Sequence, residues 1–164
     1  MRSDTGAQDT LNKAGFLPVS YGGPLFSQNG VLHHLGFVVA SIAKVAEQFA
    51  ASMTACWDTR IFHDPLQRVR VTFLTPLDVR NPVFELVEPA STSSPVSNFL
   101  RKGGGLHHVC YEIDDLESAL REAKAAHLAI LSAPIPAVAF DGRKTAWVCS
   151  QNRLLMELLE RDRK

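Results

Sequence analysis

Apolar positions recur along the chain in two kinds of run. Residues 31–39 (VLHHLGFVV) are short and almost continuously apolar, the pattern of a strand covered on both faces. Ser41 then offers an N-cap, and Ile42, Val45, Phe49 and Met53 recur at the three- and four-residue spacing of one helix face. Three further strands are predicted. They are residues 56–63 (CWDTRIFH), a stretch in which Val69, Val71 and Phe73 alternate with Arg68, Arg70 and Thr72, and residues 83–87 (VFELV) after the break at Asn81-Pro82.

The pattern then lapses and starts again. A Pro/Ser-rich connection (PASTSSP), a short helix near residues 96–101 and a triple glycine at 103–105 separate the two halves. Residues 106–113 (LHHVCYEI) read as a strand. Asp114 with Glu117 is a helix start signal, and Leu116, Ala119, Leu120 and Ala123 form the stripe that follows. Residues 128–131, 144–148 and 154–159 supply three more strands. The expected fold is therefore α+β: two βαβββ modules in tandem, residues 31–89 and 106–161, forming a curved mixed sheet around a cleft. Residues 1–30 carry Gly-Gly-Pro and no sustained periodicity, and are expected to be an N-terminal extension to a domain spanning 31–161.

Composition narrows the function classes. The 164 residues hold 17 Lys plus Arg and 17 Asp plus Glu, and this even balance offers no overall field for nucleic acid or an anionic membrane. Hydrophobic residues at 46% supply a core, yet no apolar run approaches the roughly 20 residues that span a bilayer, and no signal core is seen, so a cytoplasmic protein is expected. Cys56, Cys110 and Cys149 are an odd number with no C-x-x-C pair, which predicts reduced thiols and no thiolate metal site.

The repeat extends to chemistry-bearing residues. Leu32-His33-His34-Leu35 matches Leu106-His107-His108-Val109, and Glu85-Leu86-Val87-Glu88 matches Glu157-Leu158-Leu159-Glu160. Each half thus has histidines in its first strand and a glutamate in its last. Glu85 lies between Phe84 and Leu86, and Glu157 between Met156 and Leu158. A carboxylate buried in such a strand costs several kcal/mol unless it is paired or binds a metal. A rough twofold between the halves would bring two imidazoles and two carboxylates to one point, a ligand set for a divalent ion. Strand alternation places the neighbours of each His pair on opposite faces and leaves open which one is the ligand.

These stretches resemble the vicinal oxygen chelate superfamily, the glyoxalase/bleomycin resistance/dioxygenase proteins, and within it the methylmalonyl-CoA epimerases. LHHLGFVV (32–39), FELVEP (84–89), SSPVSNFLRKGGGLHHVCYEIDDLESAL (93–120) and LLMELLE (154–160) carry the resemblance, which covers residues 31–161. It implies His34, Glu85, His108 and Glu157 as ligands of one divalent ion (Co, Zn, Ni, Mn or Fe). Epimerases can carry Gln at the position of Glu85, and the fully acidic pair is also similar to glyoxalase I. The chain departs from the epimerase pattern at residues 140–144 (FDGRK), which keep a Gly-Arg-Lys element without the His-Pro that follows it in the family.

Such a site suits proton removal from a carbon beside a carbonyl. The expected activity is that of a metal-dependent isomerase, epimerising an acyl thioester carried on CoA or a carrier protein. Glu157 and Glu85 are the expected acid/base pair, with Glu157 favoured as base and Glu112 as a further candidate. Arg143 and Lys144 are the expected cations for substrate phosphates, Arg68, Arg70, Arg101 and Lys102 being further basic positions, and Cys110 is a candidate for the pocket wall. The competing expectations are a glyoxalase I-like lyase acting on a thiol adduct and a non-catalytic drug-binding protein of the same fold. An extradiol dioxygenase is disfavoured by Glu85, because those enzymes use two histidines and one carboxylate. A homodimer is compatible with the pattern.

Overall fold

The computed structural model describes residues 29–162, so the predicted N-terminal extension lies almost wholly outside the described residues. The first half runs β1 (Val31–Val38), α1 (Ile42–Ser52), β2 (Ala55–Trp57), β3 (Phe62–Asp64), β4 (Val69–Pro76) and β5 (Val83–Pro89). A short helix α2 (Ser97–Arg101) leads to the second: β6 (Gly105–Ile113), α3 (Leu116–Ala125), β7 (Ala129–Ile130), β8 (Ile135–Pro136), a single 3-10 turn (Val138–Phe140), β9 (Lys144–Cys149) and β10 (Leu155–Glu160). The architecture is α+β with a mixed sheet, as the hydrophobic pattern predicts.

All ten strands belong to one sheet, ordered β2-β4-β5-β1-β6-β10-β9-β7, with β3 paired to β4 and β8 to β9 at the margins. The first strand of each half lies parallel to the last strand of the same half, β1 beside β5 and β6 beside β10. The antiparallel pair β1–β6 joins the halves, so four functional strands lie side by side at the middle of the sheet.

Alternation along these strands sorts the core. Phe84 and Leu86 of β5, with Leu74 of β4, pack under the small-residue stripe Ile42, Ala46 and Ala50 of α1. Met156 and Leu158 of β10, with Ala146 and Val148 of β9, pack under Leu116, Ala119 and Ala123 of α3. Leu86 and Leu158 are fully buried, and truncating either to Ala would cost about 2–5 kcal/mol. The helices cover one face of the sheet, which leaves the intervening residues Glu85, Val87, Glu157 and Leu159 for the other.

Local signals differ from expectation at four points. The predicted strand 56–63 is two strands, because the Asp58 carboxylate accepts the N–H of Arg60 at 3.0 Å and Thr59 adopts φ 65°, turning the chain between them. β8 was not legible as a strand at all, being only two residues long. Ser41 stands at the N-cap of α1 without a side-chain bond, and Glu88 accepts the Ile42 N–H instead at 2.8 Å. The cap of α3 is Asp115, which accepts from Ser118 N–H at 2.9 Å, one residue beyond the expected Asp114. Asp114 is taken up by Arg161 and Asn29. No helix among the described residues is long and apolar enough to cross a membrane.

Candidate metal centre and active site

On the face away from the helices, His34 of β1, Glu85 of β5, His108 of β6 and Glu157 of β10 converge. Their exposures are 0%, 5%, 2% and 3%, so two carboxylates and two imidazoles share a buried site. The two Nε2 atoms are 3.2 Å apart. Glu85 Oε2 lies 3.5 Å from His34 Nε2 and 3.3 Å from His108 Nε2, and Glu157 Oε2 lies 3.4 and 3.8 Å from the same atoms.

These separations test whether a metal fits. Charge-assisted hydrogen bonds are about 2.7–2.9 Å long. Ligands about 2.1 Å from one tetrahedral ion stand about 3.4 Å apart. The observed distances centre on the second value, and every donor is of a type that divalent first-row ions accept. The field agrees, since two carboxylates in a buried site attract positive charge. Burial opposes charging of His34, but Glu85, Cys110 and Glu157 together hold its imidazole well above the usual value. Burial would likewise raise Glu85, but the charge of His34 and the contacts with both imidazoles carry it down to about 2. His34, His108 and Glu157 thus form a group that could hold a divalent ion, with Glu85 Oε2 beside both imidazoles.

Two β-bulges explain why period-2 reasoning could not choose between the histidines of each pair. In the β1–β6 register Leu32 pairs with Tyr111 and His34 with Cys110, so His33 is an extra residue; Gly36 pairs with His108 and Phe37 with Leu106, so His107 is another. A bulge turns two consecutive side chains toward one face. Both histidines of each pair consequently approach the site, His33 Nδ1 lying 2.9 Å from His34 Nδ1 and His107 Nδ1 3.0 Å from His108 Nδ1. Burial and then the neighbouring His34 lower the pKa of His33, and burial and then His108 bring His107 to about 4.

Aromatic rings flank the two buried imidazoles. Phe73 and Phe140 flank His34, with ring centroids 5.7 and 5.8 Å away, and Trp147 meets His108 edge-on at 4.8 Å. The Trp147 indole N–H also donates to Gln67 Oε1 at 3.2 Å, a bond between the two halves.

The site opens into a cavity of about 480 Å³, within the size range of small-molecule sites. Glu85, Glu157, His107 and His108 form its polar end, and Val69, Val71, Val87, Ile135 and Leu155 are among its apolar walls. Arg68 and Asp64 also line it. Asp64, 3% exposed, is the functional candidate that the sequence reading missed. Its Oδ1 accepts the Gln67 N–H at 2.8 Å and its Oδ2 lies 3.4 Å from the Val138 N–H, tying β3 to the second half. The only signal was Asp-Pro at 64–65, which reads equally well as a turn.

The remaining expected residues lie elsewhere. Arg143 is not part of the cavity lining; it pairs with Glu112, donates to the Glu160 carbonyl at 3.4 Å and stacks on Phe140. Lys144 is exposed and outside the lining. Glu112 is occupied by Arg143 and Arg161, so the strand alternation that suggested it as a base is overridden by two ion pairs. Cys110 packs with Ala137, Phe140 and Leu159 and does not line the cavity. Its Sγ approaches His33 and His34, and burial and then the charge of Glu157 push the thiol up to about 12.

Residues 33–147 match the Glyoxalase/Bleomycin resistance protein/Dioxygenase superfamily. A curated relative from Cereibacter sphaeroides, named ethylmalonyl-CoA/methylmalonyl-CoA epimerase, is 30% identical over 137 residues, covering 79% of this chain and 96% of that protein. The mitochondrial methylmalonyl-CoA epimerase of Dictyostelium discoideum is 34% identical over 87 residues, 51% of this chain and 52% of that one, so this match spans about half the length of the relative. The crystal structure of the methylmalonyl-CoA epimerase of Mycobacterium tuberculosis superposes with a TM-score of 0.71 over 91% of this chain and 95% of that chain, at 19% identity.

Proposed function

The chain belongs to the Glyoxalase/Bleomycin resistance protein/Dioxygenase superfamily, and from that premise we propose that it epimerises the α-carbon of an acyl-CoA thioester of the methylmalonyl type, with a divalent metal. The observation that carries this reading is the convergence of His34, Glu85, His108 and Glu157, all buried, at the polar end of a cavity with apolar walls. Relatives named as epimerases of methylmalonyl-CoA and ethylmalonyl-CoA support the substrate class.

A divalent ion held by these four residues would supply Lewis acidity to the thioester carbonyl, lowering the cost of charge that develops there when the α-proton leaves. The protein supplies the rest. Glu157 takes the α-proton from one face of the substrate carbon, and the electron pair of the broken C–H bond delocalises into the carbonyl. A proton donor on the other face completes inversion, each well-placed acid/base group contributing about 10²- to 10⁴-fold. Glu85 is the partner expected from the repeat. Its carboxyl, held down to about 2, is suited to coordination, and Asp64 enters as the alternative donor because it is the further buried carboxylate in the lining. The apolar walls exclude water that would otherwise compete for the α-position.

A cavity of about 480 Å³ holds the acyl and thioester portion, while the nucleotide end of CoA extends past Arg68 toward solvent. Arg143 and Lys144, outside the lining, can serve only that distal part. The fully acidic ligand pair also suits a hemithioacetal of the glyoxalase kind, and substrate choice separates the two readings.

The test is α-hydrogen exchange in deuterated water, using cobalt-loaded protein with (2R)- or (2S)-methylmalonyl-CoA and His108→Ala as control. Exchange in the wild type alone, abolished by chelation and restored by Co²⁺, supports the reading. No exchange from metal-loaded protein, with turnover of a hemithioacetal, would move the chain to the second activity.

A further inference from the structure

The bulged histidines form a second layer that the repeated sequence places twice. His33 and His107 are each one residue before a proposed ligand, each is the extra residue of a bulge, and each brings its Nδ1 to about 3 Å from the ligand's Nδ1. An Nδ1···Nδ1 contact holds one proton, so in each pair one ring donates and the other accepts. This assigns the tautomers. A ligand that turns its Nε2 lone pair to a metal carries its hydrogen on Nδ1, so its neighbour must present a bare Nδ1 and carry its own hydrogen on Nε2.

We propose that His33 and His107 are positioning residues for the metal site, accepting the Nδ1–H of His34 and His108 and so fixing the tautomer and ring orientation that aim both Nε2 lone pairs at one point. The inference rests on the metal reading given above and extends it to two residues outside the proposed ligand set. It also gives the bulges a purpose. In a regular strand His33 and His107 would point toward the helix-covered face and could not reach the ligands. Aromatic neighbours hold the acceptor rings in turn: Phe140 is edge-on to His33 at 5.5 Å, and Phe99 to His107 at 4.9 Å. A ligand imidazole with its second nitrogen hydrogen-bonded is more basic and less free to rotate, and losing such an outer partner typically weakens metal binding about 10- to 100-fold.

The experiment is Co²⁺ binding by titration calorimetry on the full chain, with the visible cobalt absorption as a second readout. Wild type, His34→Ala, His33→Leu, His107→Leu, His33→Asn and His107→Asn are compared, with circular dichroism as the folding control. The Asn side chain places its amide oxygen near the position of the His Nδ1 and can accept the same hydrogen bond, whereas Leu cannot. Weakening by about 10- to 100-fold in each Leu variant, with recovery in the matching Asn variant, is the expected result. Leu variants that bind as tightly as wild type, while His34→Ala does not bind, would overturn this inference and leave the metal reading standing. Wild-type protein that binds no Co²⁺ would overturn the metal reading itself. Imidazole nitrogen NMR of the wild type answers independently of any variant's folding: Nδ1–H on His34 and His108 with Nε2–H on His33 and His107 is expected, and the reverse pattern would refute the assignment.

Discussion

Gly36 lies directly across the β1–β6 ladder from His108, and the imidazole of His108 occupies the space a side chain on Gly36 would need. A Cβ at that position would stand 2.0 Å from His108 Cε1 and 2.4 Å from both ring nitrogens. The glycine is therefore part of the site, although it contributes no donor. Gly36→Ala is expected to push the His108 ring off centre, weaken Co²⁺ binding by about 10- to 100-fold, and cost about 1–3 kcal/mol through overpacking. The clash predicts its own remedy. On a His108→Ala background the same Gly36→Ala change should cost much less stability, and a double-mutant cycle by thermal unfolding checks this. Equal cost on both backgrounds would mean that the glycine serves the backbone and not the ring.

Metal and fold should be coupled. An ion that binds only the folded chain stabilises it by about 2.7 kcal/mol at a concentration 100 times its Kd, which is about 5–10 °C in Tm for a chain of this size. Chelator-treated protein should melt lower by this amount and recover with Co²⁺, and His34→Ala should not respond. An unchanged Tm across chelation and reloading of the wild type counts against a metal centre.

Much of this site could be read from the chain because it is written twice. Repetition made Glu85 and Glu157 stand out from their apolar neighbours, but alternation alone left open whether either pointed to solvent, and the packing of Phe84, Leu86, Met156 and Leu158 under the helices is what sets both on the other face. What failed was the period-2 rule at the histidines. The bulges at His33 and His107 exist only in the pairing of β1 with β6, an interaction between residues far apart in the chain, which leaves no local mark. Asp64 escaped for a similar reason. Its burial comes from the second half of the chain packing over a turn that, taken alone, looks solvated. Arg143 lies outside the cavity lining for a reason of the same kind, since it pairs with Glu112, a residue 31 positions away on β6.

The three thiols should separate by reactivity. Cys56 is exposed, Cys149 is half-buried and Cys110 is wholly buried, with its thiol pushed up to about 12. At pH 8 the thiolate fraction of Cys110 is about 10⁻⁴, so a disulfide reagent should modify Cys56 first and Cys110 only on unfolding. The folded state keeps a proton that the unfolded thiol, with its pKa of about 8.5, gives up. Stability from this source is thus present below about pH 8.5 and lost as pH climbs toward 12. Cys110→Ala should flatten that alkaline decline in urea midpoints, and fast labelling of Cys110 in the native state would contradict its placement.

Stereochemistry can divide the acid/base roles among the three cavity carboxylates. In a two-base epimerase each substrate isomer presents its α-proton to one base, so removing one base stops exchange from one isomer while the other isomer still loses its proton. Glu157→Gln is expected to abolish exchange from one isomer of methylmalonyl-CoA and to weaken metal binding, because the proposed function gives this residue the roles of base and ligand together. Glu85 and Asp64 then compete for the opposite role. Glu85 touches both imidazoles while Asp64 is held by backbone N–H groups away from them, so their variants should differ in kind. Glu85→Gln should lower metal affinity, and Asp64→Asn should leave it intact. Whichever variant exchanges only the isomer that Glu157 serves identifies the second base. If Asp64→Asn exchanges both isomers at the wild-type rate, its carboxylate serves only to accept the Gln67 N–H and approach the Val138 N–H, and the returning proton is assigned to Glu85.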